Sequence, residues 1–347
     1  MGGGESLGDF HEEPEPVAAA DGKAKKAVTG KSPTRIALSR LAHDKLAIFC
    51  SAIIVILIAL AIFAPWICDW LNIFPNQDSP DAPTPSEVLD QDVLFGNPGY
   101  PLVGPPYHGF TWDHPLGLAP KTGYDNLAVL LYGLRTSLVV ATLATIIAVA
   151  VGVTLGLIAG YAKGVVDGLL SFIIDFFLSF PFVLGALALA PIITSNFGDT
   201  QTTLRNAEFI ALIGVLVLFG WMGMARLIRG QVLSLREREF IQAARVIGVP
   251  TRQILFKELL PNLVAPIVVA ISLALPGYVA AEAGLSFLGI GLSEATSLGK
   301  TVDVARQYYR EYGLYLWTPV ITIMILVIAL NLLGDSVRDA FDPKTRR

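Results

Sequence analysis

The sequence predicts an all-α integral membrane protein with six transmembrane helices. Three observations carry that prediction: the apolar residues are gathered into long blocks, the blocks match the thickness of a bilayer, and Lys and Arg sort to one side of the segments between them. Of 347 residues, 53% are hydrophobic and only 16% charged, with a mean hydropathy of +0.60. A water-soluble domain carries charge on about a quarter of its positions and spreads its apolar residues at helix or strand periods. Here the apolar runs are continuous, and a helix crossing the hydrocarbon core needs about 20 such residues.

Residues 46–66 form the first block and hold no charge. The block is too long for the apolar region of a signal peptide and lacks a small-residue cleavage site, so it is expected to stay as an anchor. Blocks 136–161, 263–281 and 314–333 are equally uncharged, and 209–225 is uncharged but short. The remaining block, 165–193, contains Asp167, Asp175 and Pro181. It still reads as a span, because backbone left unpaired in lipid is costly and helices are the economical solution. With the amino terminus inside, 19 of the 25 Lys and Arg residues fall on the cytoplasmic side; the six outside are Lys121, Arg135, Arg205, Lys300, Arg306 and Arg310. That bias favours an even number of spans with both termini cytoplasmic.

The flanking segments complete the expected organisation. Residues 1–33 are rich in Gly, Ala, Glu and Pro and read as a disordered cytoplasmic tail. Residues 34–66 give a cytoplasmic elbow and the first transmembrane helix. Residues 67–132 form an extracytoplasmic Pro/Gly-rich loop, long enough to be a docking surface. Residues 133–335 hold a five-helix core, and 336–347 a cytoplasmic tail. Cys50 lies within the first block and Cys68 just outside it, which argues against a disulfide or metal pair. His108 and His114 sit six apart in the loop, a spacing no standard helical metal site uses.

Several chemistries are missing. No phosphate-cradling G-x-x-x-x-G-K-[ST] loop and no HExxH pair is present, so neither nucleotide binding of that kind nor zinc proteolysis is expected. Ser171, Asp175 and Ser179 share a helix without a His or Lys, which argues against an intramembrane hydrolase. Asp175 and Glu282 are the acids nearest a membrane interior and are candidates for a translocation path or its gate. Glu282 is expected at the outer end of its span, within reach of water.

The stretch "REREFIQAARVIGVPTRQILFKELLPN", 236–262, interrupts the apolar pattern. At about 100° per residue, Phe240, Ala243, Ala244 and Ile247 share one face, with Arg238, Gln242 and Arg245 opposite. Gly248 and Pro250 stop this helix, and Thr251 starts a second with Ile254, Leu255, Leu259 and Leu260 as its apolar side. Two alanines at the centre of an apolar face would anchor poorly in headgroups. They allow close approach of another protein instead.

These residues resemble a known family. "QAARVIG" with "ELLP" beyond it is similar to the EAA motif of ABC-importer permeases, and "HPLG" (114–117), "LLYGLRTSL" (130–138), "LSFP" (178–181), "ARLIRGQVLSLREREF" (225–240), "EAGLSFLGIG" (282–291) and "NLLGDSVRDAFDP" (331–343) resemble the second permease of dipeptide, oligopeptide and nickel importers. The resemblance implies the type I importer permease fold, with a coupling helix at about 237–249 built from Glu239, Phe240, Gln242, Ala243, Ala244, Arg245, Ile247, Gly248 and Pro250. It also implies a homologous permease partner, two ATPase subunits that carry ATP and Mg, an extracytoplasmic substrate-binding protein and a bacterial inner membrane. No cofactor is expected on this chain, and no nucleic acid partner. Peptide is the implied solute; nickel or another small solute is the alternative, and an ion channel or proton-coupled transporter is a more distant one. Gln242 stands where the family commonly has Glu. The runs after "HPLG" and after "LGIG" also depart from the family pattern.

Overall fold

Helices make up nearly all the regular structure of the computed structural model, which describes residues 33–75, 84–90, 99–106, 108–197, 201–291 and 296–342. In chain order they are α1 (Pro33–Leu41), α2 (Lys45–Leu71), α3 (Pro85–Val88), α4 (Asn126–Tyr161), α5 (Val165–Ser179), α6 (Phe182–Phe197), α7 (Gln201–Leu218), α8 (Trp221–Leu235), α9 (Glu239–Val246), α10 (Thr251–Gln253), α11 (Leu260–Phe287), α12 (Leu298–Ala305) and α13 (Gly313–Phe341). Among the described residues, β pairing is confined to two isolated bridges, Leu89 with Pro101 and Leu118 with Asp125. The tail 1–33, expected to be disordered, lies outside the described residues except for Pro33.

Five continuous segments are long and apolar enough to span a membrane: Lys45–Leu71, Asn126–Tyr161, Asn206–Leu235, Thr251–Phe287 and Gly313–Phe341. The sixth expected span is broken. α5 and α6 pass the same test as a pair but bend by 91° at the Phe180-Pro181 break. Pro181 disfavours helical geometry at Phe180, whose backbone is extended.

The helices outrun the apolar blocks. α4 begins at Asn126 rather than near 136, because Asp125 caps it: Oδ1 accepts hydrogen bonds from the Leu127 amide at 2.8 Å and the Ala128 amide at 3.1 Å. Arg135 therefore lies inside a helix, not in the outer loop. α13 likewise continues to Phe341, through the stretch expected to start a tail at 336.

Close packing depends on small residues. On α4, Gly152, Gly156 and Gly160 recur every fourth position and face α8. A Cβ at each would sit 2.6 Å from the Trp221 carbonyl oxygen, the Ala225 carbonyl oxygen and Val232 Cβ respectively. This stair of glycines brings the two backbones together, the small-xxx-small solution for helices in lipid. A similar approach joins α11 to α13. Pro276 frees the Ser272 carbonyl within α11, and Gly334 of α13 lies against that carbonyl, where a Cβ would come within 2.9 Å.

α1 folds back on the end of α13, with Arg40 Nη1 donating to the Ala340 carbonyl at 3.5 Å and the Asp342 carbonyl at 3.4 Å. Asp44 follows as the cap of α2, accepting from the Leu46 amide at 3.0 Å. The Ser336 hydroxyl holds the Asp44 carboxyl below its ordinary value.

Candidate functional site

The polar stretch folds as predicted in outline. α9 covers Glu239–Val246 and ends in paired backbone bonds: the Gly248 amide donates to the Arg245 carbonyl at 3.1 Å and the Val249 amide to the Ala244 carbonyl at 3.0 Å. This is a Schellman stop, and it requires the left-handed backbone that Gly248 adopts with φ +80°. Pro250 then opens α10, and a π-helical turn over Ile254–Leu259 runs into α11. Pro261 explains the wide turn. It cannot donate to the carbonyl four residues back, and its ring crowds that carbonyl, so the coil opens just before it.

The facing of α9 differs from the expectation. Ile241 and Ala244 are the buried residues, packed with Ile228 and Val232 of α8 and with Ile254, Leu259 and Leu263. Ala243 and Gly248 are exposed, as are Phe240, Val246 and Ile247, the last two at 87% and 78%. The apolar arc is thus divided: Ala244 binds the helix to its own chain, while Phe240, Ala243 and Ile247 point away. The polar residues also turn inward. Gln242 Nε2 donates to the Arg236 carbonyl at 3.0 Å, and the Arg245 guanidinium lies 4.6 Å from the Tyr161 ring centroid with Nε 3.3 Å from its hydroxyl. Arg236 Nη1 completes the clamp on the Gly160 and Ala162 carbonyls, at 3.0 and 3.4 Å.

Asp175 is paired. Arg226 Nη2 donates to its Oδ1, and both side chains are more than half exposed, 63% for Asp175 and 60% for Arg226. A second pair lies beside it, with Arg229 Nε donating to Asp167 Oδ1 at 2.9 Å and the Ser171 hydroxyl donating to the same oxygen at 3.2 Å. Sequence reading found Asp175 but not its partners. The signal was the Arg226 and Arg229 spacing, one helical turn, at the end of an apolar run.

Glu282 does not reach water. The fifth apolar block ends there, but α11 continues to Phe287, and the carboxylate is fully buried. The Ser286 hydroxyl donates to Oε1 at 2.9 Å, while the buried Oε2 has no hydrogen-bond partner among the described residues. Ser137 Oγ on α4 accepts from the Leu298 amide at 3.2 Å. Glu282 is enclosed within the bundle instead of lining an open face.

The outer loop contains a second organised cluster. His114 Nδ1 lies 2.7 Å from Asp125 Oδ2, so Asp125 both caps α4 and holds the loop histidine. Asn126 Nδ2 donates to the Leu116 carbonyl at 3.0 Å and to the Tyr312 hydroxyl at 2.8 Å, and that buried hydroxyl donates to the Leu116 carbonyl. The run that departs from the family pattern after "HPLG" thus supplies the cap and the latch. No group of three or more His, Cys, Asp or Glu residues suited to a metal occurs among the described residues. Cys50 and Cys68 are both free and buried.

The comparisons with known proteins decide the class. Residues 152–347 match the family described as binding-protein-dependent transport system inner membrane component, and residues 32–84 match the N-terminal TM domain of oligopeptide transport permease C. The chain belongs to this family. The dipeptide transport system permease protein DppC of Alkalihalophilus pseudofirmus is 35% identical over 319 residues, covering 92% of each chain. The oligopeptide transport system permease protein OppC of Bacillus subtilis is 29% identical across 96% of this chain and 97% of its own. A solved structure of the MetNI methionine ABC transporter in inward-facing conformations matches 62% of this chain and 96% of its own, with a TM-score of 0.48 at 22% identity. This member of the family is a multi-pass permease subunit of an inner membrane transport system, not the subunit that performs catalysis.

Proposed function

We propose that this permease passes peptides through a path shared with a homologous permease, and that α9 is the coupling helix seating a separate ATP-hydrolysing subunit. One observation carries the coupling assignment. α9 is fixed to its own chain through Ile241, Ala244, Gln242 and Arg245, yet it leaves Phe240, Ala243, Val246 and Ile247 uncovered. Uncovered apolar side chains flanking an alanine at a helix rim fit a concave protein surface better than water. The names of the relatives support peptide as the solute. ATP and Mg belong to two partner ATPase subunits in this reading, and a substrate-binding protein delivers the solute outside.

Both termini are assigned to the cytoplasm, together with α9. Asp175, with Arg226, is assigned to the path, while Glu282 belongs to the frame around it. Purifying the chain through a carboxyl-terminal tag from its own membrane tests the assembly. The expected result is recovery of a second permease and P-loop subunits, with Phe240→Asp losing the P-loop subunits and keeping the permease. Equal recovery of P-loop subunits by the variant would remove α9 from the interface, and a reporter at Lys344 active outside the cell would reverse the topology.

A further inference from the structure

Asp167, Ser171, Asp175 and Ser179 recur every fourth residue on α5. At about 100° per residue this spacing winds the set round the helix by only about 40° per step, so the four form one polar stripe. α8 sets two guanidinium groups against it, Arg229 on Asp167 and Arg226 on Asp175. Two acids, two bases and two hydroxyls therefore make a ladder without net charge. The side of α5 away from the stripe is apolar, with Leu169 57% and Phe176 56% exposed.

The depth of the ladder follows from the helix ends. Arg236, just past α8, holds the carbonyls of Gly160 and Ala162 at the end of α4, and α5 starts at Val165. These ends share one level. Asp175 lies about 15 Å along α5 from that level and Arg226 about 14 Å along α8, so the ladder climbs from the cytoplasmic helix ends to the edge of the uncharged block 209–225. An ion pair more than half uncovered at the edge of an apolar block is disfavoured against acyl chains, because charges there turn toward a cavity or another protein. The pairing satisfies charge within the chain but leaves the outward lone pairs and N–H groups of both ions open to a visitor.

We infer that this ladder is a substrate-contacting wall of the cytoplasmic half of the path, and that its occupant is a zwitterionic solute. The solute's ammonium group would meet the carboxylates and its carboxylate the guanidinium groups, displacing water as it passes. Balanced charge lets either end of a zwitterion be held, and neither sign is held tightly enough to stop transit. The inference rests on the permease reading above and adds the residues and the charge pattern of what they contact.

The test uses the full transporter in inverted membrane vesicles without ATP, where solute reaches the cytoplasmic side without a binding protein. In a Cys50→Ala, Cys68→Ala background, Ser171→Cys and Ser179→Cys are expected to react with a charged, membrane-impermeant thiol reagent, while Leu169→Cys and Phe176→Cys do not. Dialanine should slow the labelling of the stripe positions, and N-acetyl-alanylalanine methylamide, which lacks both charges, should not. Adding Asp175→Asn with Arg226→Gln should raise the dialanine needed for equal protection about tenfold, the scale of one lost charge-assisted contact. Silent stripe cysteines, or labelling at the Leu169 and Phe176 positions instead, would show that a partner or lipid covers the ladder and overturn the inference. Equal protection by both probes would overturn its charge pattern. Failure of the peptide reading shows separately, as absence of dialanine uptake by intact cells carrying the unaltered transporter.

Discussion

Gly248 stops α9 by adopting φ +80°, and no neighbouring atom lies within 4 Å of where its Cβ would stand. Space is therefore not the constraint; the backbone is. A substitution such as Gly248→Ala should cost about 1–2 kcal/mol locally, since an L side chain in the left-handed region crowds the following carbonyl. The measurable consequence is fraying of the last turn, read as faster amide exchange at Val246 and Ile247 with unchanged exchange in α8. Glu282 makes the opposite case, in which surroundings decide. Glu282→Gln retains a hydrogen-bonding group for Ser286, while Glu282→Ala leaves that buried hydroxyl without it and opens a cavity. The alanine variant should lose about 2–4 kcal/mol in detergent thermal unfolding and the glutamine variant distinctly less. Equal losses would mean that volume alone matters there. The sequence placed Glu282 near water because the uncharged block ends at that residue, and hydropathy cannot see that the helix runs on to Phe287.

The helices show which signals reach the sequence. Blocks of about 20 apolar residues mark spans because lipid demands them, so α2, α4, α11 and α13 were legible, as was the weak α5–α6 pair with its proline. Their ends were not, since capping by Asp125 and the extension of α13 depend on single side chains and on packing against α1. The two faces of α9 were legible as one apolar arc, but a helical wheel cannot tell which half meets the protein. Ile241 decides it by burial in a cluster supplied by α8 and α11. The glycine stair of α4 was not read from the sequence, because a four-residue repeat of glycines gains its meaning only from α8 lying against it. Gly156→Leu should force the helices apart at the Ala225 carbonyl and cost about 1–3 kcal/mol or more, whereas Gly168→Ala on α5, with nothing within 4 Å, should stabilise by about 1 kcal/mol. Parallel thermal unfolding of the two purified variants checks the opposite signs.

At the scale of the molecule, the contacts connect α9 to the outer face through one rod. α4 is 36 residues long, about 54 Å of helix. Its inner end carries Tyr161 beneath Arg245 and the carbonyls gripped by Arg236; its outer end is tied by Asp125 and Asn126 to His114, Leu116 and Tyr312. Between those ends the glycine stair locks it to α8. Under the proposed reading, force applied to α9 by an ATPase subunit passes into α4 and arrives at the loop where solute is delivered. The Arg245–Tyr161 contact is then a coupling element and not part of the docking face. Arg245→Ala should keep the ATPase subunits bound, because Phe240, Val246 and Ile247 are untouched, yet lower the solute moved per ATP hydrolysed. A double-mutant cycle with Tyr161→Ala should give an interaction of about 1–2 kcal/mol, and the second substitution should add little to the loss of coupling caused by the first. Reconstituted vesicles measure both quantities, uptake and phosphate release, on one preparation. Unchanged stoichiometry in both variants would redirect the path of force to the other attachment of α9, the π turn and α11. In that case, relieving the π turn by Pro261→Ala should alter the stoichiometry where the Arg245 and Tyr161 variants did not.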